Sequence, residues 1–274
     1  MFGVWTSTAA LGEDNLGEAA ALVERLGYGT FWLGGSPRLT EVRPLLEATD
    51  RLVAATSIVN VWKYEPADLA AEYGALERDF PGRLLVGIGI GHPEATSEYR
   101  TPLTVMQEFL DGVDAAAEPI PRERRCLAAL GPRMLALSKE RSLGAIPYFT
   151  PAAHTAAARA ALGDGPLLAP EVAVAVTGDA SERRAAVRTY AERYLGLRNY
   201  VRNLLRHGFE EADVAGSGSE RLLDAVVPQG SAADVAATIR AHLDAGADHV
   251  AVQALGEPGV PERGWTALAR ELIG

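Results

Sequence analysis

A single cysteine, Cys126, stands in a chain of 274 residues. That excludes a disulfide framework and a cysteine-rich zinc site. No apolar run approaches the roughly 18 residues that a membrane helix requires, so no membrane partner is expected. Positive charge is scarce: 26 Lys and Arg face 36 Asp and Glu, for a net charge of −10. Nucleic acid is therefore not an expected partner, because neutralising phosphates needs clustered cations. The start, Met1-Phe2-Gly3-Val4-Trp5, has neither the basic region nor the long apolar segment of a signal peptide, and a cytoplasmic protein is the expectation. Disorder is excluded as a class by a hydrophobic fraction of 48%, since disordered chains pair low hydrophobicity with high charge.

What is present is a recurring phrase: an amphipathic stretch, a glycine, then a short apolar run. It reads Leu26-Gly27-Tyr28-Gly29 before Thr30 to Leu33, Pro81-Gly82-Arg83 before Leu84 to Ile88, Gly144 before Ala145 to Phe149, and Ala245-Gly246-Ala247-Asp248 before His249 to Leu255. Glycine ends a helix cheaply because it adopts the left-handed conformation without a Cβ penalty. The runs that follow are continuous rather than alternating, as in strands buried on both faces. Gly3 to Ser7, Val53 to Val61, Cys126 to Leu130 and Val172 to Val176 complete eight strand candidates. Helical patterns lie between most of them: Leu22, Val23 and Leu26 share a face, as do Leu69, Tyr73, Leu76 and Phe80, and Val235, Ile239 and Leu243. Eight alternating units predict an α/β fold, a (β/α)8 barrel over residues 1–274 as one domain. A doubly wound open sheet is the alternative, although no Gly-x-Gly-x-x-Gly opens the first helix. The regularity breaks between about 180 and 230, where helices over Ser181 to Tyr194 and Leu197 to His207 and a loop at Ala215 to Ser219 read as an insertion before the last strand.

Chemistry in such a barrel sits at the C-terminal strand ends. Those positions run from Trp5, Thr6 and Ser7 through Gly34 to Ser36, Ser57 to Trp62, Gly89, Gly91, His92, Leu130, Gly131, Pro147, Tyr148 and Thr177 to Gln253. They are poor in carboxylates and hold no His/Asp/Glu cluster, so no catalytic metal is expected. No Ser-His-Asp arrangement is evident. Glycine, serine and aromatic residues dominate instead, which suits a flat aromatic cofactor that brings its own chemistry. Gly131-Pro132-Arg133 opens a helix whose free N–H groups would bind a phosphate, with Arg133 adding charge; an ordinary strand-to-helix turn is the alternative. His92 follows Gly87-Ile88-Gly89-Ile90-Gly91 and reads either as a proton donor or hydrogen-bond partner, or as a rim histidine bonded to a neighbouring loop. Tyr148 offers a hydroxyl or else packs in the core. Trp5, Trp32 and Trp62 are large and near strand ends, and at least one is packing. Cys126 reads as an inert buried thiol. His154, His207, His242 and His249 fall away from the rim.

These strand-end phrases resemble the luciferase-like monooxygenase superfamily, and more closely its deazaflavin-dependent (coenzyme F420) oxidoreductases. The resemblance is carried by Ala55-Thr56-Ser57-Ile58-Val59-Asn60-Val61-Trp62, Leu85-Val86-Gly87-Ile88-Gly89-Ile90-Gly91-His92-Pro93, Ala128-Ala129-Leu130-Gly131-Pro132-Arg133-Met134-Leu135, Gly144-Ala145-Ile146-Pro147-Tyr148 and Leu195-Gly196-Leu197-Arg198-Asn199-Tyr200, in family order along nearly the whole chain. It implies a barrel with an insertion near its C-terminal end. It implies a bulged third strand with a cis peptide at Ser57-Ile58 supporting the deazaflavin ring, with Val59 beside it. Gly91 and His92 would line the ring edge, and Leu130, Gly131, Pro132 and Arg133 the phosphate side. It also implies a homodimer. The sequence departs from the family after the second strand, where Leu33-Gly34-Gly35-Ser36-Pro37 offers no proton donor, leaving that task to His92 or Tyr148. The implied activity is hydride transfer between coenzyme F420 and a small organic substrate. The alternatives are an FMN-dependent monooxygenase and a cofactor-binding protein with little turnover.

Overall fold

The computed structural model describes residues 1–91 and 101–274; His92, with the roles expected of it, lies outside the described residues. Strands run in chain order as β1 (Phe2–Ser7), β2 (Thr30–Gly34), β3 (Val53–Ser57), β4 (Val59–Asn60), β5 (Leu84–Gly89), β6 (Arg125–Leu127), β7 (Gly144–Ala145), β8 (Leu167–Leu168), β9 (Glu171–Val174) and β10 (Val250–Ala254). Every pairing among them is parallel, in the order β8-β7-β6-β5-β3-β2-β1-β10-β9 with β4 on β5.

The two ends of that order are one piece of chain. Leu167 to Val174 bonds β7 through its first half and β10 through its second: Ala169 N–H donates to Ala145 O at 2.9 Å, and Ala251 N–H to Pro170 O at 3.0 Å. The sheet is thus a closed barrel of eight staves among the described residues, β3 with β4 and β8 with β9 each making one. An open doubly wound sheet is excluded.

Both faces of the staves are buried, which is why the strands read as continuous apolar runs. Side chains alternate between two layers. Val4, Phe31, Leu33, Val86 and Ile88 face the helices, while Trp5, Trp32, Ala55, Leu85, Cys126, Ile146, Ala169 and Ala251 fill the barrel. Cys126 is fully buried with its thiol pushed up to about 12, the inert core residue expected. At the lower end, the Trp32 indole N–H donates to His249 Nε2 at 3.0 Å. Glycine admits the large rings: a Cβ on Gly34 would lie 1.9 Å from the Trp5 ring.

Helices start on prolines or side-chain caps as the sequence dictates. Pro66, Pro102 and Pro132 begin the helices Pro66–Asp79, Pro102–Asp114 and Pro132–Arg141, and Ser231 caps Ala232–Asp244. Between β9 and β10 come Ala180–Leu195, capped by the Asp179/Glu182 box, then Arg198–Arg206 and Glu220–Val226. None of the described helices is long and apolar enough to cross a membrane.

Four strands differ from expectation, the seventh by running from Leu167 to Val174 rather than from Val172 to Val176. Val53 to Val61 is broken: the register moves from Ala55↔Leu85 to Val59↔Ile88, four residues against three. The extra residue is a bulge. Within it the Thr56 hydroxyl accepts from Gly87 N–H at 3.0 Å and donates to Gly87 O at 3.1 Å, replacing the lost ladder, and the Ser57-Ile58 peptide is cis. The fifth and sixth staves are shorter than Cys126 to Leu130 and Ala145 to Phe149, because Pro147 has no N–H to donate and Phe149 turns to a φ of +54°.

Candidate functional site

The barrel mouth is built on the bulge. Ile58, lifted by it, packs with Ala128 and Tyr148 on the interior cluster beneath, and all three are half-buried. Gly89 permits this: a Cβ there would approach Ile58 Cγ1 to 2.8 Å and Ala128 Cβ to 3.1 Å. The result is an apolar floor with one hydroxyl on it. Gly91, at φ +70°, is held by its neighbours: Asn60 caps the turn through Trp62 N–H at 3.0 Å, and Trp62 Nε1–H donates to Ile90 O at 2.8 Å. A Cβ on Gly91 would meet Asn60 Nδ2 at 2.9 Å.

The Tyr148 hydroxyl is fully engaged. It donates to Gln253 Oε1 at 2.9 Å, receives Tyr190 O–H at 3.0 Å, and lies 2.9 Å from the Tyr194 hydroxyl. Its ring is 5.3 Å from Trp5, which sits below it in the barrel. Tyr190 and Tyr194 come from one face of the helix Ala180–Leu195, four residues apart. Phe149 stacks on Tyr194 at 5.2 Å. A phenylalanine at positive φ is a rare conformation; here the stack and a bond from Phe149 N–H to Glu171 Oε2 at 3.4 Å hold it. Burial raises the Tyr148 and Tyr190 phenols well above their ordinary value.

Glu171 corrects the expectation of a carboxylate-poor mouth. Its alternation partners Val172 and Val174 face the helices, so Glu171 faces inward at the level of Pro147. It is 3% exposed, its Oε1 lies 3.3 Å from the Tyr190 hydroxyl, and burial pushes its carboxyl up to about 8. The sequence carried a faint signal, an acid opening an otherwise apolar run after Pro170.

The remaining expected residues fall as follows. Ser57 and Ile58 flank the cis peptide, and Ile58 shares the interior cluster with Tyr148. The Val59 side chain points into the outer core, leaving its main chain as the available part. Leu130 packs with Tyr148 against the insertion. Gly131 caps the helix Pro132–Arg141 with no side-chain bond, a Cβ on it would meet nothing within 4 Å, and Pro132 and Arg133 beside it are exposed. Pro132 has no N–H and the Met134 N–H already donates to Gly131 O at 3.1 Å, so an anion in the open space here would draw on the Gly131 and Arg133 N–H groups. His154, set aside on sequence grounds, buttresses this turn: its Nε2–H donates to Leu130 O at 3.0 Å, and burial lowers it to about 4. Among the described residues no group of three His, Cys, Asp or Glu is arranged to hold a metal. One surface depression, of about 360 Å3, lies away from the mouth between Tyr73, Glu77, Arg78 and Arg124, and another, of about 180 Å3, lies at the strand-end rim beside Thr177, Glu182, Leu255 and Arg263.

The family model described as luciferase-like monooxygenase matches residues 1–249. No curated protein matches the chain. Solved structures match over its full length at low identity. An F420-dependent secondary alcohol dehydrogenase in complex with an F420-acetone adduct superposes with a TM-score of 0.78 at 15% identity, covering 100% of this chain and 98% of that one. The coenzyme F420 dependent tetrahydromethanopterin reductase from Methanopyrus kandleri gives 0.73 at 14% identity, covering 99% and 98%. The oxygenating constituent of 3,6-diketocamphane monooxygenase from Pseudomonas putida, in complex with FMN, also gives 0.73, at 15% identity, covering 99% and 97%. At these identities the likeness is one of fold, and it places the chain among luciferase-like barrels.

Proposed function

The chain belongs to the luciferase-like monooxygenase family, and from that premise we propose that it is an oxidoreductase moving a hydride between coenzyme F420 and a small carbonyl compound or the corresponding alcohol. The observation that carries this reading is the Tyr148 hydroxyl on its apolar floor of Ile58 and Ala128, fixed by Tyr190, Tyr194 and Gln253. A positioned phenol beside a flat apolar surface fits carbonyl reduction, where a proton must reach oxygen as hydride reaches carbon.

The residues fit such a coenzyme. Ile58 and Gly91 would flank the ring, with the main chain at Ser57 and Val59 beside it, and the open, uncapped turn of Leu130, Gly131 and Pro132 would take the phosphate with Arg133 adding charge. When bound, the deazaflavin supplies the hydride from its C5 carbon. The chain's part is to hold the acceptor against that face, to exclude water with the insertion's tyrosines, and to give a proton through Tyr148. The neighbour crystallised with an F420-acetone adduct supports the substrate class.

The neighbour carrying FMN motivates a second reading, an FMN-dependent monooxygenase. Titration of the purified chain with each cofactor separates the two. Quenching of deazaflavin fluorescence without a response to FMN is expected; saturable FMN binding with no deazaflavin response overturns the proposal.

A further inference from the structure

One buried acid has no role in hydride transfer as described. Glu171 is enclosed at the top of the barrel, and among the described residues no cation pairs with it. The titratable groups facing it are phenols from every packed element: Tyr148 from the segment after β7, Tyr190 and Tyr194 from the helix Ala180–Leu195, and Tyr200 from the helix Arg198–Arg206. The facing group on β10 is the neutral Gln253.

The hydrogen bonds form a connected path from Glu171 through Tyr190 to Tyr148. Tyr190 has one proton, yet its oxygen lies within bonding distance of three acceptors, Tyr148 at 3.0 Å, Glu171 at 3.3 Å and Gln253 Oε1 at 3.4 Å. The Tyr148 proton is used on Gln253. A protonated Glu171 resolves the conflict: its O–H donates to Tyr190, Tyr190 donates to Tyr148, and Tyr148 donates to Gln253 Oε1, the bond that a substrate oxygen would replace. A carboxylate would instead capture the Tyr190 proton and break the chain.

We propose that Glu171, acting through Tyr190, is the proton reservoir from which Tyr148 serves the substrate oxygen. This rests on the hydride-transfer reading. A bound reduced deazaflavin would supply the hydride to the carbonyl carbon, and Tyr148 would give its proton to the carbonyl oxygen. The Tyr148 O–H breaks as Tyr190 gives it a proton, and Tyr190 is refilled by Glu171. The electrons for the alcohol would come from the coenzyme and its hydroxyl proton from Tyr148, and the negative charge would rest on the Glu171 carboxylate until water returns the proton. Without this relay the charge would stay on a buried phenolate, which the site disfavours.

Two measurements test the relay. Infrared titration of the coenzyme-free chain is expected to give a protonated-carboxyl band at pH 7 that vanishes near pH 8, is absent in Glu171→Gln, and titrates at a shifted pH in Tyr190→Phe. Steady-state reduction of a small ketone by reduced coenzyme F420 is expected to lose rate above that pH. Glu171→Gln and Tyr190→Phe should each lower kcat by about tenfold or more and abolish that limb, with coenzyme affinity retained. A carboxyl already ionised at pH 7, or either variant keeping the wild-type rate and pH profile, overturns the relay. If the chain binds no deazaflavin, the hydride reading falls, while the infrared titration still decides whether Glu171 and Tyr190 share the proton.

Discussion

Acidification from pH 7 to pH 5 should destabilise the protein through its buried histidines while relieving it at Glu171. His154 and His242 are lowered to about 4 and His249 to about 3, all by desolvation, against an ordinary value of 6.5. Below pH 6.5 the unfolded chain binds protons that the folded chain refuses, so stability falls with pH until the folded values are reached. From pH 7 to pH 5 each histidine costs about 2 kcal/mol, and the three together about 5–6 kcal/mol. Glu171 has the opposite sign. Its folded value of about 8 lies above the ordinary 4.5, so stability falls as pH rises between them, and moving from pH 7 to pH 5 regains about 2–3 kcal/mol. The wild type should therefore lose about 3 kcal/mol net, a large share of the roughly 5–15 kcal/mol typical of a domain. Glu171→Gln should be about 3 kcal/mol more stable at pH 7 and should lose the full histidine contribution. Urea unfolding followed by tryptophan fluorescence at both pH values measures each quantity. Equal midpoints at pH 7 and pH 5 for Glu171→Gln would refute the reasoning about the histidines, and a variant no more stable than wild type at pH 7 would refute it for Glu171.

Gly91→Val adds a side chain at φ +70° against Asn60 and should weaken deazaflavin binding about tenfold or more; unchanged affinity in a folded variant moves the ring elsewhere. Gly34→Ala forces a Cβ into the Trp5 ring at 1.9 Å and should cost about 1–3 kcal/mol in thermal or urea unfolding. Trp32→Phe leaves His249 Nε2 without its donor, and a loss of about 1–3 kcal/mol is expected from the same assay.

The eight staves were legible because burial on both faces writes continuous apolar runs, and because helix ends need glycine, as at Gly27 and Gly246. The break in that rhythm after residue 180 is where the helices Ala180–Leu195, Arg198–Arg206 and Glu220–Val226 lie. The step from Ser57 to Val59 was not read from composition: it depends on the Thr56 hydroxyl meeting the Gly87 backbone 31 residues away, and the bulge entered only through the family resemblance. Tyr148 and Gln253 were both identified at strand ends, and they meet. Glu171 was missed because an acid after a proline reads as a solvated strand start; only inward alternation on β9 buries it. Tyr190 and Tyr194 were read as part of a helix, but nothing local says that this helix lies over the mouth.

The closed ring also fixes an order of assembly. Its first strand pairs with its last, Phe2↔Val250, and the Met1 amine donates to Asp248 O. Until residues 250–254 are available, both β1 and β9 present unpaired edges, the usual template for association with other chains. Val250–Ala254 is thus a keystone: a weakened β10 would appear first as aggregation during folding, before any loss of chemistry at the mouth.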